Sequence, residues 1–297
     1  MNSLPTVSVI TITFNDLAGL QRTVQSVRAQ RYEGRIEHIV IDGGSGPDVV
    51  DYLARHSSGF AYFQSAPDRG RYDAMNQGMA HAKGDLLWFL HSADCFADSE
   101  VIAETVQTLA EHGRVNQLWG YGIERRIAPN GECAGFQGPI PFNMRKFLTL
   151  RGAIPHQAAF FGAALVSRLG PYDLDFAIAA DQLFMLRAAL LMVPVTIERV
   201  VANFDITGEG SVRSARECFR DMRRIWDRAD CYPFRSRRTS MLYLRFWEYV
   251  VRAKLALRRA LALMKVQRTF EWDRRPAEVP RSVIADRRDV RPRDPST

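Results

Sequence analysis

The residues best equipped for chemistry are Asp42, Asp68, Asp94, Asp181 and the pair Arg69 and Arg71. Asp42 ends the run His38-Ile39-Val40-Ile41 and precedes Gly43-Gly44-Ser45-Gly46, a turn without bulky side chains that lets a ligand reach the backbone. The stretch Asp68-Arg69-Gly70-Arg71-Tyr72-Asp73-Ala74-Met75-Asn76 sets two guanidinium groups around a glycine. Such forks match the oxygens of a diphosphate. Asp94 follows an apolar run in His91-Ser92-Ala93-Asp94, where a carboxylate suits a divalent cation or a phosphate. Asp181 opens a helical stretch after Ile178-Ala179-Ala180, placed either to cap a helix or to serve as a general base. Each position has a plain alternative: Asp42 as the acid of a tight turn, the arginines as a solvated corner, Asp73 as the first-turn acid of a helix.

The elements that must hold these groups alternate strand and helix over the first hundred residues. Val7–Thr13 predicts a strand, ending at Thr13-Phe14-Asn15, and Asn15 or Asp16 can cap the helix whose Leu17, Leu20, Val24 and Val27 share one face. Ile36–Asp42 predicts a second strand, Asp48–His56 a short helix and Phe60–Gln64 a third strand. Asp73–Ala82 reads as a helix, Leu86–His91 as a nearly all-apolar interior strand and Glu100–His112 as a helix. Repeated βαβ units imply a mainly parallel central sheet with helices on both faces. Ligands then sit beyond the carboxyl ends of the strands, where Asp42 and Asp94 fall. From Gln117 to Pro141 the pattern breaks into hairpins or loops, followed by a short helix over Met144–Leu150, a strand over Gln157–Phe161, a helix over Gln182–Leu191 and a strand over Val195–Phe204. Residues 213–266 read as helical, broken near Tyr232-Pro233.

Four segments occur in order: a strand ending Thr-Phe-Asn, then Asp-Gly-Gly-Ser, then Asp-Arg-Gly-x-Tyr-Asp-Ala-Met-Asn-x-Gly, then Ala-x-Gly-Asp before an apolar strand. Over roughly residues 6–100 this resembles the donor half of a family 2 glycosyltransferase of the GT-A fold. The resemblance implies a nucleotide-diphosphate sugar bound along the strand ends. Thr13, Phe14, Asn15, Asp42 and Gly43 would face the nucleoside, and Asp68, Arg69, Arg71, Asp73 and Asn76 would line the nucleotide and sugar. Ser92, Ala93 and Asp94 would complete the donor site. A dinucleotide-binding fold fits poorly, because G-x-G-x-x-G is missing and the glycines follow the second strand.

In that family the acidic motif is usually Asn-Ser-Asp-Asp or Asp-x-Asp and holds a divalent metal, Mn or Mg, on the diphosphate. Here only Asp94 remains of it, with His91 either a structural histidine at the strand end or a further ligand that would suit Mn. The likeness continues through Ile154-Pro155-His156-Gln157, where His156 would position acceptor or phosphate, and through Gly170-Pro171-Tyr172-Asp173 to Asp181, which stands where the family places its catalytic base. Phe204-Asp205-Ile206-Thr207-Gly208-Glu209-Gly210-Ser211 is similar to a family loop near the diphosphate, with Gly208, Gly210 and Ser211 as its members and Glu209 interrupting the glycines. The implied reaction is a single inverting displacement on a carbohydrate or lipid-linked acceptor, in glycolipid or cell-surface polysaccharide synthesis. The alternative, prompted by the eroded acidic motif, is a catalytically silent protein that binds nucleotide sugar or a membrane surface.

Charge separates the chain into two parts. Residues 212–297 hold 23 Lys/Arg against 11 Asp/Glu, more than accounting for the net +7 and leaving the first 211 residues acidic overall. Residues 213–268 therefore read either as a surface for anionic membrane lipid or another acidic partner, or as helices packed on the catalytic domain or on a second copy with solvated arginines; nucleic acid is not expected, because no recognition motif accompanies the charge. The boundaries read from sequence are a GT-A-like domain over 1–212 (donor half 1–105, acceptor half 106–212), a basic helical extension over 213–268 and a disordered tail over 269–297. No uncharged run approaches the roughly 20 residues of a bilayer span. MNSLPTVSVITITF lacks a basic start, and four scattered cysteines form no metal or disulfide framework. The expected location is cytoplasmic, peripheral on the inner face of the membrane.

Overall fold

A computed structural model describes residues 3–149, 151–176, 178–206 and 214–272. The βαβ alternation expected from sequence is present at the start of the chain. β1 (Val7–Thr13), α1 (Leu17–Arg28), β2 (Ile36–Asp42), α2 (Pro47–Arg55), β3 (Tyr62–Ser65), α3 (Arg71–His81) and β4 (Leu86–Phe89) follow one another. A two-residue strand β5 (Cys95–Phe96) and α4 (Val101–His112) come next. The interrupted region is a hairpin of β6 (Trp119–Ile127) and β7 (Cys133–Gln137), then α5 (Met144–Leu148), β8 (Ala159–Gly162), α6 (Ala163–Leu169), α7 (Ala180–Leu191) and β9 (Val195–Asp205). α8 (Ala215–Ala229) and α9 (Arg237–Trp272) end the described chain.

The sheet runs β3-β2-β1-β4-β8-β6-β9-β5, with β7 added to β6. β3, β2, β1 and β4 are mutually parallel, as the crossover helices require. β8 enters antiparallel to β4 and β6, while β6 and β9 run parallel. The parallel part is thus built from residues 7–89, and the sheet beyond them is mixed. Register matters for function: Thr13 pairs with Asp42 and Asp42 with Ser65, so the first three strands end in one row at the carboxyl edge.

Alternation along β1 sorts the core. Val7 and Val9 join Trp88, α4 and Ala202 in one apolar cluster, while Ile10 faces the opposite layer. There a Cβ on Gly78 would lie 2.4 Å from the Ile10 side chain, so only glycine lets α3 approach β1 this closely. Asp16, not Asn15, caps α1 through its bond from Gly19 N. Ser214 and Glu217 form a capping box at the start of α8.

Met1–Arg245 forms one compact unit and the chain from Phe246 onward another. Residues 213–268, read as one basic extension, therefore divide between the two. α8 packs against α7, with Phe219, Met222, Ile225 and Trp226 buried, so amphipathic burial outweighs its basic face. Residues 269–272, read as part of the tail, are the end of α9, and the rest of that tail lies outside the described residues.

Candidate active site

α3 is the element on which the site converges. Its first turn carries Arg71, Tyr72 and Asp73, and its N-cap Gly70 has φ 107°, a backbone region that glycine enters without a Cβ clash. Asp68 Oδ1 accepts from Gly70 N at 2.7 Å and fixes the turn. Arg69 is paired with Asp73 at 2.8 Å and is otherwise exposed. Asp73 also accepts from Gln77, and its bond with Arg69 holds its carboxyl below the usual range.

Two residues of α3 reach the segment that leads into α7. The Tyr72 hydroxyl donates to Asp181 Oδ1 at 2.9 Å and accepts from Ala179 N at 2.7 Å. The Asn76 amide donates to Tyr172 O at 3.0 Å and accepts from Tyr172 N at 2.8 Å. Tyr72 and Tyr172 stack at 5.7 Å, and the Tyr172 hydroxyl meets His156 Nε2 at 2.9 Å. His156 in turn stacks on His91 at 5.5 Å. His91, His156, Arg71 and Asp181 therefore share one electrostatic neighbourhood. Burial, then His156 and Arg71, lower the His91 pKa to about 3 against the opposing pull of Asp181. Burial alone lowers His156 to about 3. Both imidazoles are neutral at physiological pH, and His91 Nδ1 is enclosed without a hydrogen-bond partner.

The strand-end row forms a second cluster. Phe14 stands 63% exposed at the end of β1, an aromatic face turned to solvent. A Cβ on Gly43 would come within 2.8 Å of Asp68 Oδ2 and 3.3 Å of the Phe14 ring, so these three loops meet at one point. Asn15, at φ 51°, donates its backbone N–H to Ser45 Oγ at 2.7 Å. Thr13 is buried with its hydroxyl unpartnered.

Several positions expected to face a ligand are used internally. Asp42 is fully buried and accepts from Ser45 N, Ser45 Oγ and Ser65 Oγ. It organises the Gly43–Gly46 turn, because a buried carboxylate must be hydrogen-bonded. Asn76 spends its amide on Tyr172. Ser92 Oγ donates to Asp16 Oδ2 at 2.6 Å and so ties the acidic motif to the cap of α1.

Asp94 is 4% exposed and accepts from Asp205 N at 3.3 Å. Burial, with Glu124 and Asp205 nearby, raises its pKa well above the carboxylate range. Asp94 and Asp181 share no direct bond; they are linked through His91, which precedes Asp94 on the same turn and senses the Asp181 charge. Among the described residues, no three His, Cys, Asp or Glu side chains converge to cage an ion. A single carboxylate fits only an Mg²⁺ or Mn²⁺ that takes its other ligands from substrate phosphates and water. His91 is not part of any such cage. Gly208, Gly210 and Ser211 lie outside the described residues.

Two further residues bear on the site without a role evident from sequence: Tyr72, and Glu124, whose carboxylate accepts from Gln157 Nε2 in the core. The phenol type of Tyr72 was visible; its partner 109 residues away was not.

Comparison with known proteins gives a consistent result. The profile for Glycosyl transferase family 2 matches residues 8–167. An uncharacterized glycosyltransferase of Mycobacterium tuberculosis strain H37Rv is 59% identical over 260 residues, covering 84% of this chain and 98% of that one. A PGL/p-HBAD biosynthesis glycosyltransferase of Mycobacterium bovis strain BCG is 30% identical over 209 residues, covering 69% of this chain and 78% of its own. Among solved structures, the mannosyltransferase PcManGT of Pyrobaculum calidifontis, in complex with GDP-Man and Mn²⁺, superposes with TM-score 0.58 at 19% identity, covering 90% of this chain and 83% of that one. S. aureus TarS 1–349 in complex with UDP-GlcNAc gives TM-score 0.57 at 18% identity, covering 74% and 65%, and the match spans 39% of the longer TarS chain. At such identities the structural likeness concerns the fold.

Proposed function

The chain belongs to Glycosyl transferase family 2, and from that premise we propose that it moves a sugar from a nucleotide-diphosphate donor to an acceptor hydroxyl with inversion at the anomeric carbon. The observation that carries this reading is the Tyr72–Asp181 hydrogen bond. It ties a half-buried carboxylate of the acceptor half to the turn that bears Arg69 and Arg71.

The exposed Phe14 ring offers a stacking face for the nucleoside base, beside the Gly43 turn that Asp42 holds in shape. Arg69 and Arg71 bring positive charge to the donor phosphates. The acceptor oxygen attacks the anomeric carbon as the bond from that carbon to the diphosphate oxygen breaks. The bonding pair leaves with the nucleotide diphosphate, and the acceptor proton passes to the Asp181 carboxylate. Tyr72 orients that carboxylate, while neutral His91 and His156 add no positive charge of their own beside it. A divalent ion anchored by Asp94 would supply charge stabilisation for the departing diphosphate. The similarity to a PGL/p-HBAD biosynthesis glycosyltransferase supports a cell-envelope glycolipid as the setting.

Asp181→Asn tests the assignment. Turnover of a nucleotide-sugar panel, measured with Mn²⁺ or Mg²⁺, should fall about 10²–10⁴-fold, the range for loss of a general base. Nucleotide affinity by calorimetry should be unchanged. Retained turnover would remove Asp181 from the reaction, and loss of folding in the variant would reduce its bond from Tyr72 to a structural tie, since Ala179 and not Asp181 is the N-cap of α7.

A further inference from the structure

α8 lies beyond residues 8–167, the part of the chain that matches the family, yet it packs against α7, the helix whose first turn carries Asp181. Its arginines at 216, 220, 224 and 228 recur every fourth residue and therefore follow one side of the helix. Like charges at that spacing repel, so the stripe is favoured where carboxylates face it. Two of its members meet such groups on the segment that leads into α7. Arg228 Nη2 donates to Asp175 Oδ2 at 2.7 Å, and Arg228 Nη1 lies 3.2 Å from Asp173 Oδ2. Arg224 Nη2 donates to the Asp175 carbonyl at 2.8 Å, and its guanidinium lies over the Phe176 ring at 4.4 Å.

These contacts are not what holds α8 in place. Burial of Phe219, Met222, Ile225 and Trp226 docks the helix. Ion pairs as open as this one add little stability, since the Arg228 and Asp175 side chains are 44% and 67% exposed. Their effect falls on the other partner. Residues 172–176 form neither helix nor strand, so no backbone ladder fixes them. Asn76 holds them from one side through both backbone groups of Tyr172, and Arg224 and Arg228 hold them from α8.

The bend at Ala179 gives that clamp its purpose. A φ of 134° is resisted by the alanine Cβ, and such a residue stays there only when the surrounding chain is fixed. Downstream, the Tyr72 hydroxyl accepts from Ala179 N, and Leu183 N donates to Ala179 O. Upstream, the fixed points are Tyr172 on Asn76 and the Asp175–Phe176 pair on α8. With the α8 anchor released, the bend can relax, and Asp181 two residues further on then moves away from Tyr72.

We propose that Arg224 and Arg228 are positioning residues for sugar transfer: through Asp173, Asp175 and Phe176 they hold the bend that presents Asp181. The proposal rests on the glycosyl-transfer reading and extends that site to a helix outside the family match. Both arginines act through Asp181 and not on the substrate.

The test uses the full chain with water as acceptor. Release of UDP from UDP-GlcNAc and of GDP from GDP-mannose, with Mn²⁺, is followed in wild type and in an Arg224→Gln/Arg228→Gln variant. kcat should fall at least about tenfold, the scale of a small misplacement of a reacting group, with donor KM, nucleotide affinity and melting temperature unchanged. Arg228→Lys, whose single ammonium serves one carboxylate in place of two, should lie between the two proteins. Hydrogen exchange adds a readout that needs no turnover. Peptides spanning residues 172–181 should exchange at least about tenfold faster in the double variant, with those of α8 unchanged. If the double variant melts early, Asp175→Asn, which alters only an exposed partner, must show the same fall in kcat and the same faster exchange. Wild-type kcat or wild-type exchange in the variant overturns the proposal, and so does a loss of kcat that merely tracks a lowered melting temperature in both variants. Where wild type binds UDP or GDP but releases neither from its sugar, exchange alone decides. If Asp181→Asn turns over like wild type, or neither nucleotide binds, the transfer reading fails and this proposal with it. Loss of turnover in Asp181→Asn with none in the arginine variant sinks this proposal alone.

Discussion

The Tyr72 hydroxyl holds two groups at once, donating to Asp181 and accepting from the buried Ala179 N–H. Burial and the Asp181 charge push the phenol well above its ordinary range, so it keeps its proton and donates at any physiological pH. Tyr72→Phe removes both bonds without changing the ring. The orphaned Ala179 N–H should cost about 1–3 kcal/mol of stability, seen as a lower urea midpoint. Because Asp181 loses its orienting donor, kcat should fall about 10–100-fold with donor KM unchanged. An unchanged kcat would show that Asp181 needs no such support. Asp94 and Asp181, two of the carboxylates singled out from sequence, follow a bent backbone: Ala93 has φ 75° just before Asp94, and Ala179 has φ 134° two residues before Asp181. Non-glycine residues in this region store about 1–3 kcal/mol each and persist where surrounding packing enforces them. Nothing in the letters Ala-Asp or Ala-Ala-Asp reveals that bend. The type of the reacting residue was therefore legible, and its presentation was not.

Among the elements, those specified by local pattern were readable in the sequence. β1 to β4 and their helices follow from period-two and helical spacing within single segments. Beyond β4 the strands are decided by partners far away: β5 is only two residues long and pairs with β9, and β8 joins both β4 and β6. Asp42 and Asn76 show the same limit at the site, since the serines and the Tyr172 backbone that occupy them are set by register and packing. Glu124 on β6 is the clearest case. It lies 3% exposed against Gln157, and burial raises its pKa from 4.5 to about 7, partly opposed by Arg126. The folded chain keeps this proton between those two values while the unfolded chain has released it. Glu124 therefore lowers stability progressively as pH rises from 4.5 to about 7, with the full penalty above. In Glu124→Gln the penalty is absent, so the variant should gain on wild type across that window, by on the order of 3 kcal/mol above pH 7. Urea titrations of both proteins at several pH values measure this, and a difference independent of pH would refute it.

For the whole molecule, charge is distributed against the site. The acidic first 211 residues carry the strand-end row, while the net positive remainder includes α9, where Phe246, Tyr249, Leu257 and Leu261 are exposed among Arg252, Lys254 and Arg258. Among the described residues no helix is long and apolar enough to cross a membrane. Exposed aromatics and aliphatics interleaved with cations suit the headgroup layer, where each Lys or Arg contributes about 1 kcal/mol with anionic lipid. The full chain should therefore sediment with phosphatidylcholine vesicles that contain phosphatidylglycerol and stay in solution with phosphatidylcholine alone. High salt should release it, since the attraction decays within a Debye length. Replacing Arg252, Lys254 and Arg258 together by Gln removes about 3 kcal/mol of that attraction, roughly a hundredfold in partitioning. Equal sedimentation with neutral vesicles, or no effect of the triple replacement, would leave the basic helix without a membrane role and direct attention to protein partners for its exposed apolar side chains.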